Sequence, residues 1–206
     1  MTPDRSNTWN VVVMPVPAHE RDLLGREKVA ARSAAARVAL RASADVTGAT
    51  LGRLDKDAED APLPSDGWHW SISHGGGFVA GVVCRSRVGV DVEEIVPRRN
   101  DLVPRVTSRE ELELLGGFSW EVFARVWTAK EAVLKKAGCG ILELSRCVLV
   151  AVPDAETLIL HHRERDHVVH QRSRARHVAS VTFDTTADAS VAWRWHGEFA
   201  TSESAT

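Results

Sequence analysis

Alternating apolar and polar positions predict most of the elements. Trp9 to Val16 (WNVVVMPV) is a short β-branched run closed by Pro15 and Pro17, as expected of a strand that opens a sheet. From Ala18 to Ser43 the chain is rich in Ala, Leu and Arg. There Leu23, Leu24, Val29, Ala36 and Leu40 recur at roughly helical spacing, predicting one long helix whose first turns Gly25 weakens. A Gly-, Asp- and Pro-rich loop follows from Thr47 to Gly67. Trp68 to Ser73, the turn Gly75-Gly76-Gly77 and the apolar run Phe78 to Cys84 read as a hairpin-like strand pair. Val88-Gly89-Val90-Asp91-Val92-Glu93 then alternates with period two, so the valines face one way and Gly89, Asp91 and Glu93 the other.

The second part carries clearer helix signals. Ser108-Arg109-Glu110-Glu111 has the Ser-x-x-Glu form of a capping box and opens a helix to about Leu115. Ser119 caps the next one, whose Val122, Phe123, Val126, Trp127, Val133, Leu134 and Ala137 form an apolar face before Gly138 and Gly140 stop it. Strands around Arg146 to Val152, Thr157 to His161, His177 to Phe183 and Ser190 to Trp195 follow, with a frayed tail expected from Gly197. This order predicts an α+β fold of two similar halves, residues 1–86 and 87–206.

With 206 residues, the chain can build one compact body or two closely joined halves. An apolar fraction of 44% and a charged fraction of 26% exclude disorder as the main state. The net charge of -2 provides no global field for nucleic acid, so any polyanion must be gripped locally. Cys84, Cys139 and Cys147 are odd in number and form no CxxC, which fits a reducing cytoplasm. Met1 to Asn10 lacks an apolar signal core, and no run approaches the ~18 apolar residues that span a membrane. A soluble, cytoplasmic protein is therefore expected.

Candidate chemistry gathers at two places. Asp91 and Glu93, two apart on a strand, leave one face about 6 to 7 Å apart and could hold a hard cation such as magnesium, beside the room Gly89 leaves. The ordinary alternative is a solvated edge strand. Trp127, Glu131 and Lys135 stack along one side of a helix, where the ordinary alternative is a stabilising Glu-to-Lys pair. Other signals point away from chemistry. His161, His162, His167 and His170 have no cysteine nearby in sequence and read as an exposed hairpin rather than a zinc site. The glycine turn lacks the GxxxxGK(S/T) of a P-loop, no GxSxG occurs, and Cys84 lies in an apolar strand.

The two places taken together read Val88-Gly89-Val90-Asp91-x-Glu93 and then Trp127-Thr128-Ala129-Lys130-Glu131-Ala132-x-x-Lys135. This pair resembles the signatures (V/I)G(I/V)D and (W/F)-x-x-KE-x-x-x-K of the 4'-phosphopantetheinyl transferases. The residues preceding Val88 and the segment Ser71-Ile72-Ser73-His74 resemble the longer, surfactin-type, pseudo-dimeric members. The resemblance implies two α+β halves about a pseudo-twofold axis with the site between them, in a monomer.

It also implies a reaction of the holo-acyl-carrier-protein synthase type. Phosphopantetheine passes from coenzyme A to a serine of an apo acyl or peptidyl carrier protein, 3',5'-ADP is released, and Mg2+ (Mn2+ as the alternative) is required. The implied metal residues are Asp91, Glu93 and Glu131. Lys135, with Lys130 as second candidate, would contact the phosphates. Glu131 or Glu110, the latter in an FTxxE-like helix start, would be the base. Ser73, His74, Arg21 and Arg53 would contact coenzyme A, His74 at the 3'-phosphate, although the family's G(K/R)P element is replaced by Glu59-Asp60-Ala61-Pro62. The basic and apolar stretch 95–106 would meet the carrier, with no role for nucleic acid or membrane. A coenzyme A-binding homologue without turnover and a magnesium-dependent phosphodiesterase are the alternatives.

Overall fold

The computed structural model describes residues 8–184 and 190–196. Strand β1 (Thr8–Pro15) is followed by a single 3-10 turn at Ala18–Glu20 and by helix α1 (Gly25–Thr47). The expected helix from Ala18 is thus broken. Gly25 has φ +55, outside the right-handed helical region, so the chain turns there and helical geometry begins afterwards. Strands β2 (His69–Gly75) and β3 (Phe78–Cys84) form the expected hairpin. Next come β4 (Val88–Glu94), the short helices α2 (Val103–Val106) and α3 (Arg109–Leu114), and the long α4 (Trp120–Ala137). Four antiparallel strands then run in series: β5 (Val148–Asp154), β6 (Thr157–His162), β7 (Arg165–Arg174) and β8 (His177–Phe183). The last described strand is β9 (Ser190–Trp195). The tail expected beyond Gly197 lies outside the described residues.

The strands make two sheets, ordered β2-β3-β1-β9 and β4-β8-β7-β6-β5. β9 comes from the end of the chain yet pairs in parallel with β1, so it belongs to the sheet of the first part. Val11, Val13, Ala80 and Val82 of the first sheet share one buried cluster with Val88, Val90, Val92, Ala179 and Val181 of the second. The period-two valines of β4 therefore face the other sheet. Outside that shared core, α1 lies on the first sheet with Ala35, Ala36 and Ala39 against Val12 and Val79. On the opposite side α4 packs Phe123, Val126, Ala129 and Val133 against Leu149, Leu158, Leu160 and Val169. Each such buried Val, Leu or Phe stabilises the fold by roughly 1.5–3 kcal/mol relative to exposure.

Glycine lets both long helices sit directly on strand backbone. A Cβ at Gly81 would overlap the backbone nitrogen of Leu40 in α1, and one at Gly89 would overlap the carbonyl of Ala132 in α4. The Gly89 contact brings α4 so close to β4 that Lys135, one turn on from Ala132, reaches Asp91. Ser43 secures α1, donating to the Asn10 carbonyl at 2.6 Å and accepting from the Val83 amide at 3.1 Å.

Candidate active site

The two sheets meet along β2 and β4, each an edge strand of its own sheet. An unpaired edge leaves backbone N–H groups without partners. Here serine side chains supply them: the Val90 amide donates to Ser71 Oγ at 3.1 Å and the Val92 amide to Ser73 Oγ at 3.4 Å. Only a small residue fits where the strands come closest, since a Cβ at Gly75 would overlap the Val92 carbonyl. This seam sets Ser73 and His74 beside Asp91 and Glu93, and α4 closes over it with Glu131 and Lys135.

A cleft of about 480 Å³ opens there, lined by Ser73, His74, Asp91, Glu93, Glu131 and Lys135 among others. Asp91 is 4% exposed. Its Oδ1 accepts from Ser73 Oγ at 2.6 Å and from Lys135 Nζ at 2.7 Å, while Oδ2 is buried with no hydrogen-bond partner. Glu93 pairs with Arg98 at 2.7 Å, yet burial and then the charge of Asp91 push its carboxyl up to about 7. The carboxyl of Glu131 is raised for the same two reasons, burial first and Asp91 second, with Lys135 opposing. Partial burial lowers His74, and the positive charges of Lys135 and Arg32 add to that. The three carboxylates share the cleft without their oxygens closing as a set to within 4.8 Å of one another; Lys135 and Arg98 neutralise Asp91 and Glu93 separately.

A family model of the 4'-phosphopantetheinyl transferase superfamily matches residues 87–192, just over half of the chain and the part that contains β4 and α4. The chain belongs to that superfamily. A stretch of 83 residues is 36% identical to the 4'-phosphopantetheinyl transferase psf-1 of Bacillus pumilus, covering 38% of this chain and 35% of that protein. A stretch of 101 residues is 28% identical to a 4'-phosphopantetheinyl transferase of Bacillus subtilis, covering 47% of this chain and 45% of that relative. The matches therefore span less than half the length of the curated relatives.

Four of the residues the transferase resemblance pointed to do not line the cleft. Lys130 is 3% exposed, and its ammonium donates to the Val106 carbonyl at 2.7 Å and to Glu111 at 2.9 Å, which leaves it no reach toward a phosphate. Helical geometry explains the difference, because five residues of about 100° each set Lys130 well around the helix from Lys135. Glu110 is exposed in the first turn of α3. Its neighbour Glu111 is the buried one, accepting from the Ser108 amide at 2.8 Å and the Leu149 amide at 2.7 Å. The Ser-x-x-Glu spacing had marked Glu111 as the capping carboxylate. Arg53 is exposed and paired with Asp55 at 3.1 Å. Arg21 lies in the turn before α1 rather than in the helix and donates to the Val16 carbonyl at 3.0 Å.

Sequence reasoning missed Val29 and Ser33 of α1 and Lys56 and Asp60 of the following loop, all of which line the cleft. Val29 and Ser33 are one helical turn apart, and that spacing is their only local signal. Lys56 pairs with Asp60 at 2.7 Å on the rim. Trp127 lines both this cleft and a smaller apolar hollow formed by Val96, Leu102, Phe123 and Ala124 with Glu93, Glu94 and Arg98.

Proposed function

We propose that the protein transfers the 4'-phosphopantetheine group of coenzyme A to a serine of an apo acyl or peptidyl carrier protein, releasing 3',5'-ADP. The observation that carries this reading is the joint lining of one cleft by Ser73, His74, Asp91, Glu93, Glu131 and Lys135, drawn from β2, β4 and α4. Coenzyme A brings a diphosphate and a 3'-phosphate, so its site needs concentrated positive charge for the first and fixed donors for the second.

The donor set fits a hard divalent ion. Asp91 Oδ2 is buried and unpartnered, and burial first and the charge of Asp91 second raise the carboxyls of Glu93 and Glu131, a repulsion that a cation among them relieves. Asp91, Glu93 and Glu131 would hold Mg2+, with Mn2+ as the alternative. When bound, the ion supplies charge neutralisation at the diphosphate. Lys135, a mobile point charge now on Asp91, meets the phosphates and stabilises the leaving 3',5'-ADP. Glu131 takes the proton of the carrier serine, directly or through water. The serine oxygen then bonds to the β-phosphorus as the bond to the departing phosphate breaks. Such transfers depend mainly on positioning and electrostatic stabilisation. His74, at the cleft wall, meets the 3'-phosphate.

The carrier surface is read at residues 95–106. Arg98, Arg99 and Arg105 are exposed there, and Val96 and Leu102 line the apolar hollow that Trp127 separates from the cleft. Exposed arginines beside an apolar hollow suit an acidic partner that carries its serine to the catalytic carboxylates. The partner's carboxylates compete with Glu93 and Asp101 for Arg98 and Arg99. Coenzyme A and Mg2+ incubated with and without an apo carrier test the reading. Release of 3',5'-ADP only with carrier, matched by modified serine, supports it. Release without carrier makes the protein a phosphodiesterase, and binding without release makes it an inactive homologue.

A further inference from the structure

A second group of ligand-type side chains lies just past the C-terminal end of α4. Cys139, Glu143 and His162 each present one ligand atom, and these atoms all lie within 4.8 Å of one another. Sequence spacing argued against zinc at the histidines because no cysteine lay near them in the chain. The fold supplies one. Gly138 ends α4 in the left-handed region, and the Cys139 amide turns back to the Leu134 carbonyl at 3.0 Å, which sets the cysteine beside the helix end. Glu143 stands in the first turn of the 3-10 helix Ile141–Arg146. His162 is the last residue of β6, fixed by its pairing with Arg165 across a two-residue turn, and is 1% exposed rather than part of an exposed hairpin.

We infer that Cys139, Glu143 and His162 form a binding site for Zn2+ or a similar thiophilic divalent ion, with water as the fourth ligand. A thiolate, an imidazole and a carboxylate form the borderline-soft donor set that zinc takes and magnesium does not. Zinc bonds of 2.0–2.3 Å place neighbouring ligand atoms roughly 3.3–3.8 Å apart, so small rotamer changes close the present set. The outer contact is already built: Arg163 donates to Glu143 Oε1 at 2.6 Å and to Oε2 at 3.0 Å, orienting the carboxylate. Arg163 keeps Oε1 while the ion takes Oε2. The ion takes the place of the hydrogen bond between His162 Nε2 and Glu143 Oε2, now 2.8 Å apart, with the imidazole proton carried on Nδ1. It also displaces the thiol proton of Cys139, so loading releases a proton. Bound metal ties the end of α4 to β6. The site stands apart from the transferase reading, since it shares no residue with the cleft.

The test is a Co2+ titration of the reduced, tag-free protein in excess Mg2+, read by absorbance. The expected result is a thiolate-to-cobalt charge-transfer band that saturates at one equivalent, is bleached by one equivalent of Zn2+ and disappears in Cys139→Ser. It persists in Cys147→Ser and in Asp91→Asn, while Glu143→Gln weakens cobalt binding about tenfold or more. Circular dichroism checks that each variant is folded. Absence of the band in the folded wild-type protein, or its survival in Cys139→Ser, overturns the proposal.

Discussion

Two lysine–carboxylate pairs of helix α4, at Lys130 and Lys135, lie five residues apart and behave as different objects. Lys130 and Glu111 are 4% and 3% exposed at their side chains, and both oxygens of Glu111 are used, by Lys130, Leu149 and Ser108. Lys135 is 31% exposed, and its partner Asp91 has one oxygen engaged twice and the other buried without a partner. The first pair is closed and ties α2, α3 and β5 to the helix. The second is incomplete and faces a cleft. The first pair is satisfied and serves structure, whereas Asp91 keeps an acceptor oxygen free where the cleft brings Glu93 and Glu131 beside it.

Substitutions should separate the two pairs. Lys130→Met leaves Glu111 buried without its cation and is expected to lower stability by about 3–5 kcal/mol in denaturant unfolding. Lys135→Met should cost less than that, because the lysine end of the pair is 31% exposed and water reaches it, although Asp91 stays buried; equal losses would erase the distinction. In turnover the order reverses. Lys135→Met is expected to slow transfer by about 10²–10³-fold in protein that is still folded, the scale of losing one transition-state electrostatic contact.

The closed pair also has a pH signature. Cys147 lies beside Lys130 and Glu111, and burial pushes its thiol up to about 12. The unfolded chain releases that proton near the ordinary thiol value of 9.0, whereas the folded chain holds it to about 12. The contribution is therefore complete below pH 9 and is lost as pH rises through that window, at up to about 1.4 kcal/mol per pH unit. Cys147→Ala should flatten the alkaline stability profile by that slope. The smallest effect is expected at the cleft wall. His74→Ala should raise the KM for coenzyme A severalfold with little change in kcat, and equal change with 3'-dephospho-coenzyme A would remove the assigned contact.

Local pattern accounts for much of this architecture. Period-two alternation in β4 located the face that bears Asp91 and Glu93, and helical spacing put Trp127, Glu131 and Lys135 on one side of α4. Capping serines and terminal glycines bounded α3 and α4 to within a residue or so. Long-range pairing carries no such mark. Nothing within Ser190–Trp195 says that it lies parallel to β1, and nothing around Lys130 says that Glu111 neutralises it. A single backbone angle at Gly25 moved the start of α1 and with it the setting of Arg21. The juxtaposition of Cys139 with His162 likewise depends on where β6 ends, which only the folded sheet fixes.

The central claim is that the carboxylates around the incomplete pair perform the transfer. Its most direct measurement is the intact mass of an apo carrier protein incubated with coenzyme A and Mg2+, using wild-type protein and Glu131→Gln side by side. The account predicts a mass gain of one phosphopantetheine group on a single serine with the wild type, and unmodified carrier with the folded variant. Equal modification by both proteins would contradict it.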